Sequence, residues 1–205
     1  MDSESTFVPC PDQEFLWNFA YSENDSESRH GDRWRTALGP RLSGLIQAGE
    51  RSSLTRDDWS RVGIAMEAAR GAYIAALIRL RPRWHVGILP TSGLGAIRLI
   101  RLEAFRSVSP RLRLDEFVRG LDAGKNTLDD QFSLRYRRLR PKFDPSRSRG
   151  IPMLVAAHLP GPFTEIDGLT RMCIIFSRLT QGESAPADIR VLLGLSQRIT
   201  EWPFY

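Results

Sequence analysis

Between residues 151 and 193 the hydrophobic pattern changes period several times in a short length of chain. An unbroken apolar run over 151–157 is closed by a Gly161-Pro162 turn, and a second run follows over 163–166. Helical spacing then takes over from 169 to 179, and a last apolar run covers 189–193. The predicted order is strand, turn, strand, helix, strand: a β-hairpin followed by a crossover helix. A hairpin of this kind needs a sheet to belong to, so the fold class expected is α+β.

The chain before this segment reads as largely helical. Trp34, Leu38, Leu42, Leu45 and Ile46 predict a helix over 32–48 with Gly49 as its stop. Thr55 with Asp58 three residues on forms a capping-box pattern, with Asp in the usual Glu position. Trp59, Val62, Met66, Tyr73, Ile74 and Leu77 continue that helix at core spacing until Pro82. Residues 1–12 read as a loose leader, 15–21 as an aromatic segment that docks on the core, and 22–32 as a polar loop. A short strand is expected around Val86, Ile88 and Leu89, and 97–102 reads equally as strand or short helix. Helices are expected over 114–121 and 127–139, and the Trp202-Pro203-Phe204-Tyr205 end reads as an aromatic anchor on the helical part. The division expected is a leader and helical part over 1–83 and an α+β domain over 84–205, together one compact unit.

Composition narrows the partners. The 205-residue chain is 41% hydrophobic, enough for a real core. The longest apolar-rich stretch, 71–80, is about half of the roughly 20 residues a bilayer helix needs, so no membrane span is expected. The polar, acidic start lacks the basic and apolar regions of a secretory signal. Two cysteines, Cys10 and Cys173, make neither a disulfide framework nor a cysteine zinc cluster, which fits a reducing cytoplasm. The net charge of +5 is unevenly spread: residues 1–32 hold eight acids and one arginine, leaving +12 on the remainder. Its densest part is Arg135, Arg137, Arg138, Arg140, Lys142, Arg147 and Arg149, interrupted only by the acid Asp144. Such a run could contact DNA or RNA phosphates, although a helix face of arginines is more often simply solvated.

The chemistry concentrates at Asp167-Gly168-Leu169-Thr170-Arg171, where the second strand becomes the helix. The first N–H groups of a helix lack intrahelical partners and lie at its positive dipole end, so the corner attracts anions. Gly168 would let a ligand reach the backbone, Thr170 offers a hydroxyl, and Arg171 offers two donors to a phosphate. Asp167 would repel a bare phosphate; it suits a metal, a ligand hydroxyl or a base role. The same residues also fit a capped helix, with Arg171 paired to Asp167 or Glu165. Ser196 and Arg198, after the last strand, could reach the same ligand, though an ordinary turn explains them too. His30, His85 and His158 have no metal-ligand spacing, and the turn after His158 could fold near Asp167.

The run Ile151-Pro152-Met153-Leu154-Val155, then 162–172 with Asp167-Gly168 and Arg171, then 189–193, resembles the ParB/sulfiredoxin-like superfamily. In that superfamily an Asp- or Glu-Gly-x-x-Arg type motif joins a strand to a helix. The resemblance implies a nucleotide-phosphate site at this corner, with Gly168, Leu169, Thr170 and Arg171 about the phosphates and Asp167 as catalytic carboxylate. A nucleoside triphosphate, ATP or CTP, is the implied ligand, with Mg²⁺ as companion cation and phosphoryl transfer or nucleolysis as the compatible reactions. The middle positions are Leu169 and Thr170, not Cys, which disfavours sulfiredoxin chemistry, and the helical material precedes the motif instead of following it. The alternatives are a nucleic-acid-binding accessory protein using the 135–149 run, and a non-enzymatic module that docks a protein partner.

Overall fold

Strand residues 153 to 156 alternate between two hydrophobic cores, and that alternation organises the molecule. Met153 and Val155 point into one cluster, Leu154 and Ala156 into the other. A computed structural model describes residues 7–24, 29–128, 130–144 and 150–205, the side chains of 29 and 30 excepted. Its five-stranded sheet comprises β1 (Phe7–Pro9), β2 (Arg83–Pro90), β3 (Met153–Ala156), β4 (Thr164–Asp167) and β5 (Asp188–Leu195), in the order β1-β2-β5-β3-β4. Only β3 and β5 pair in parallel; every other pairing is antiparallel.

Helices cover both faces, and the class is α+β. On one face lie α1 (Asp12–Asn24), α2 (Arg29–Leu38), α3 (Pro40–Ala48), α4 (Arg56–Arg70) and α5 (Ala72–Arg79), whose apolar residues share a cluster with Trp84, Met153, Val155, Ile166 and Leu192. After the four-residue α6 (Glu103–Arg106), α7 (Leu114–Asp122), α8 (Gln131–Leu139) and α9 (Leu169–Thr180) pack on the other face against Leu154, Ile189, Val191 and Leu193. The helical part and the sheet are thus joined by a shared core. Among the described residues no helix is long and apolar enough to cross a membrane.

Several local readings change. The expected 32–48 helix is two, because Gly39 at φ 77 and Pro40 restart the chain as α3. The long helix from Thr55 divides at Gly71, φ 67, into α4 and α5, while its Thr55–Asp58 capping box forms as expected. The leader is not loose throughout, since residues 7–9 form edge strand β1 on β2. The aromatic segment is helical and does dock: Phe15 stacks on Trp84 at 4.2 Å between ring centroids. Residues 22–24 and 29–32, expected in a loop, belong to α1 and α2; residues 25–28 lie outside the described set. The 97–102 stretch is neither strand nor helix: Arg98 makes isolated bridges to Arg113 and Thr164. The helix expected from 127 starts at Gln131, because Ser133 Oγ accepts the Thr127 N–H and holds that residue in the preceding turn. At the C-terminus Trp202 Nε1 donates to the Tyr73 carbonyl at 2.9 Å, which seats the aromatic end on α5.

The last strand is longer than expected and runs on through Gly194 and Leu195. Gly194 has no room for a side chain, since a Cβ there would stand 2.9 Å from the Trp84 ring. Gly194→Ala is expected to destabilise the protein by about 1–3 kcal/mol through overpacking, read as a lower urea midpoint at unchanged m-value.

Candidate functional site

Asp167 is the last residue of β4, and Gly168 turns the chain into α9 in a left-handed conformation, φ 88. A Cβ on Gly168 would come within 2.8 Å of Pro152 Cα. The glycine therefore serves a close approach by the chain's own backbone, which corrects the expectation that it holds space for a ligand. Leu169 is a core residue, 6% exposed. Its contribution to the corner is its backbone N–H, and that N–H donates to the Glu165 carboxylate. An internal carboxyl group thus already accepts from the first N–H of α9. Thr170 is half-buried, and Arg171 Nη1 donates to the Gly150 carbonyl at 2.5 Å.

Around this turn the fold assembles groups distant in sequence. Arg70, the last residue of α4, directs Nη2 to Glu23 Oε1 of α1 and to Asp167 Oδ1 at 3.3 Å. Its guanidinium also lies over the Phe19 ring, 5.5 Å from the centroid. Burial works against the Arg70 charge, but Tyr73, Glu23 and Asp167 outweigh it and hold the cation more firmly than usual. Burial pushes the Tyr73 phenol up. Burial raises the Glu165 carboxyl to about 8, the nearby Asp167 charge adds to the rise, and Arg70 and the Leu169 N–H oppose it. Burial lowers the Arg171 pKa, while Asp167 counteracts that. Glu165 is therefore largely a neutral acid at pH 7, beside an ionic pair formed by Asp167 and Arg70.

Glu23 and Arg70 were not singled out by the sequence, Tyr73 was read only as a core position of its helix, and Glu165 only as a possible partner of Arg171. The corner is incompletely satisfied by protein groups. Glu165 Oε2, Asp167 Oδ2 and Arg70 Nε are all buried without a hydrogen-bond partner among the described residues. Three such atoms in one place are unusual, since buried polar atoms nearly always find partners.

The other candidate residues lie elsewhere. Asp167 pairs with Met153 at the start of β3, whereas the Ser196 N–H bonds the Ala156 carbonyl at its end. Ser196 and Arg198 thus sit at the opposite end of the sheet from Arg171 and do not share a ligand with it. Ser196 Oγ donates to the Leu80 carbonyl at 3.2 Å, and Arg198 makes a two-point pair with Glu201. His158 follows β3 and lies at that far end too, so its turn does not approach Asp167. No group of three metal-ligating side chains occurs among the described residues.

In the basic run, Arg137 turns back to the Gly124 and Lys125 carbonyls and to Asn126 Oδ1. Arg140 bonds Ser177, Gln181 and Glu183. Arg135, Arg138 and Lys142 are exposed, and Arg147 and Arg149 lie outside the described residues. Two members of the run therefore stitch α8 to the α7 turn and to α9, against the expectation of an outward-facing arginine surface.

No protein-family model matches the chain, and neither a curated protein nor a solved structure is similar to it at a significant level.

Glu165 generates a pH dependence of stability. Its folded-state pKa, about 8, lies above its ordinary value of 4.5, so the native state holds a proton that the unfolded chain releases. That contribution is fully present below about pH 4.5 and lost as pH rises through 8. Urea titrations between pH 5.5 and 8.5 are expected to show Glu165→Gln gaining on the wild type steadily as pH rises. A constant difference would mean that Glu165 does not change ionisation in this window.

Proposed function

We propose that this chain binds a nucleotide at the 164–171 corner, with Arg171, Thr170 and the α9 N-terminus receiving phosphate and Asp167 facing a ligand hydroxyl or a phosphate-bound Mg²⁺. The carrying observation is the set of buried, unpartnered polar atoms on Glu165, Asp167 and Arg70, gathered where two guanidiniums and a helix N-terminus converge. The resemblance of 150–195 to the ParB/sulfiredoxin-like superfamily supports the same reading.

The electrostatics set a condition on it. Glu165 occupies the helix end that a phosphate would need, and as a carboxylate it would repel one. A neutral Glu165 can release the Leu169 N–H and give the incoming anion a hydrogen bond from its own O–H. Arg171 would have to exchange the Gly150 carbonyl for a phosphate oxygen, which favours a charge-assisted bond over a neutral one. Asp167, already balanced by Arg70, does not need a metal to be stable, so Mg²⁺ enters with the ligand. Phosphoryl transfer or nucleolysis is the chemistry such a site would support, with Asp167 as the carboxylate nearest the reacting group.

Calorimetry against ATP, CTP, GTP and their diphosphates, with and without Mg²⁺, tests the proposal. The wild type is expected to bind at least one of them, Arg171→Ala to weaken that binding about tenfold or more, and Asp167→Asn to abolish its Mg²⁺ dependence. Absence of binding by the wild type overturns the reading.

A further inference from the structure

The end of the sheet opposite Asp167 carries a second concentration of charge with different character. A cleft of about 480 Å³ opens there, lined by Arg81, Arg83, His85, Ser196 and Gln197 with Ala157 and Leu195. It lies where β3 and β5 terminate and where β2 begins, Arg83 being paired with Leu195. Crevices outside the carboxyl ends of parallel strands are where α/β sheets most often hold ligands. The volume is in the range of small-molecule sites.

From these features the geometry points to a small-anion site in this cleft, in which Arg81 and Arg83 clasp the phosphate group of a low-molecular-weight phosphate compound. The lining contains no acid, and neither arginine has an ion-pair partner among the described residues. Other arginines are neutralised internally, Arg51 by Glu14, Arg70 by Glu23 and Arg140 by Glu183, whereas this pair shares one cleft without such a partner. Neighbouring cations with no internal counter-charge raise the local potential and draw an anion. A larger hollow beside Trp59 and Arg56 in the helical layer lacks this property, because its Arg51 is bonded to Glu14.

The backbone at Arg81 reinforces the assignment. Arg81 stands at φ 48, a left-handed conformation that glycine adopts without steric cost and other residues seldom do. The turn from α5 into β2 would form more easily with glycine, yet the position carries a guanidinium. Ser196 supports that turn, since its hydroxyl bonds the carbonyl of Leu80, the residue before Arg81. With its proton committed there, Ser196 is a positioning residue and not a nucleophile. Arg83 and His85, two apart on β2, share one strand face, and the buried Trp84 between them points to the core.

The test uses the full chain titrated with pyrophosphate and with AMP at low ionic strength, followed by calorimetry and by backbone amide shifts. Wild-type protein is expected to bind pyrophosphate, with shifts at residues 81–85 and 195–197 and an affinity that falls as salt rises. Arg81→Gly is expected to weaken binding about tenfold or more without lowering Tm, because the glycine suits the turn. Arg83→Gln is expected to weaken it similarly, and Arg61→Gln, an exposed arginine of α4 outside both regions, to leave it unchanged. AMP binding with the same shifts extends the ligand class to phosphate monoesters, and AMP shifts confined to 164–171 belong to the other corner. No pyrophosphate binding by the wild type, or unaltered binding in both Arg81→Gly and Arg83→Gln, overturns the proposal.

Discussion

A buried guanidinium, that of Arg70, is the point at which the two halves of this chain are tied together. It ends α4, takes the Glu23 carboxylate of α1 on one side and Asp167 at the end of β4 on the other, and rests on Phe19. Burying three charges is costly, and hydrophobic replacements of such clusters are often as stable or more so. Removing one member is another matter, because it leaves the remaining charges uncompensated, at a typical cost of about 3–5 kcal/mol. The arrangement thus specifies how the helical layer docks on the sheet more than it adds to total stability. It also holds the Asp167 carboxyl in place by an ion pair, two residues along the strand from Glu165, whose carboxyl burial pushes up.

The sheet topology then separates the charged regions. Because β3 and β4 form a hairpin, the chain enters α9 at the end of the sheet from which β3 started, and it leaves β5 at the other end. One end is a shielded corner of nearly balanced charge, with acids, arginines and a tyrosine in contact. The other is an open cleft with cations alone. The first can respond to a ligand by moving a proton, whereas the second can only attract or repel. The two proposed anion sites would therefore differ in salt and pH behaviour.

The part of the fold legible in the sequence was the part in which the apolar period changes abruptly. The hairpin, α9 and β5 announce themselves through unbroken apolar runs, Gly161-Pro162 and Asp167-Gly168. The breaks at Gly39 and Gly71 were not legible, because a glycine can interrupt a helix while the apolar residues on either side keep nearly the same phase. Asp167 and Arg171 were readable as candidates because they flank a strand-to-helix corner. Arg70, Glu23 and Tyr73 were not, since nothing local marks a helical arginine as buried and paired with a residue 97 positions away. Grouping Ser196 and Arg198 with the corner failed for a topological reason: the antiparallel step from β3 to β4 sends the two turns to opposite ends of the sheet.

Under the proposed function the corner accepts an anion only with Glu165 protonated, so that ligand and proton bind together. The direct measurement is nucleotide calorimetry at pH 8, close to the Glu165 pKa, in buffers of different ionisation enthalpy, which counts protons exchanged per ligand bound. Net proton uptake is expected for the wild type and is expected to disappear in Glu165→Gln while binding persists. Nucleotide binding with no proton uptake, or with the same uptake in Glu165→Gln, would contradict it.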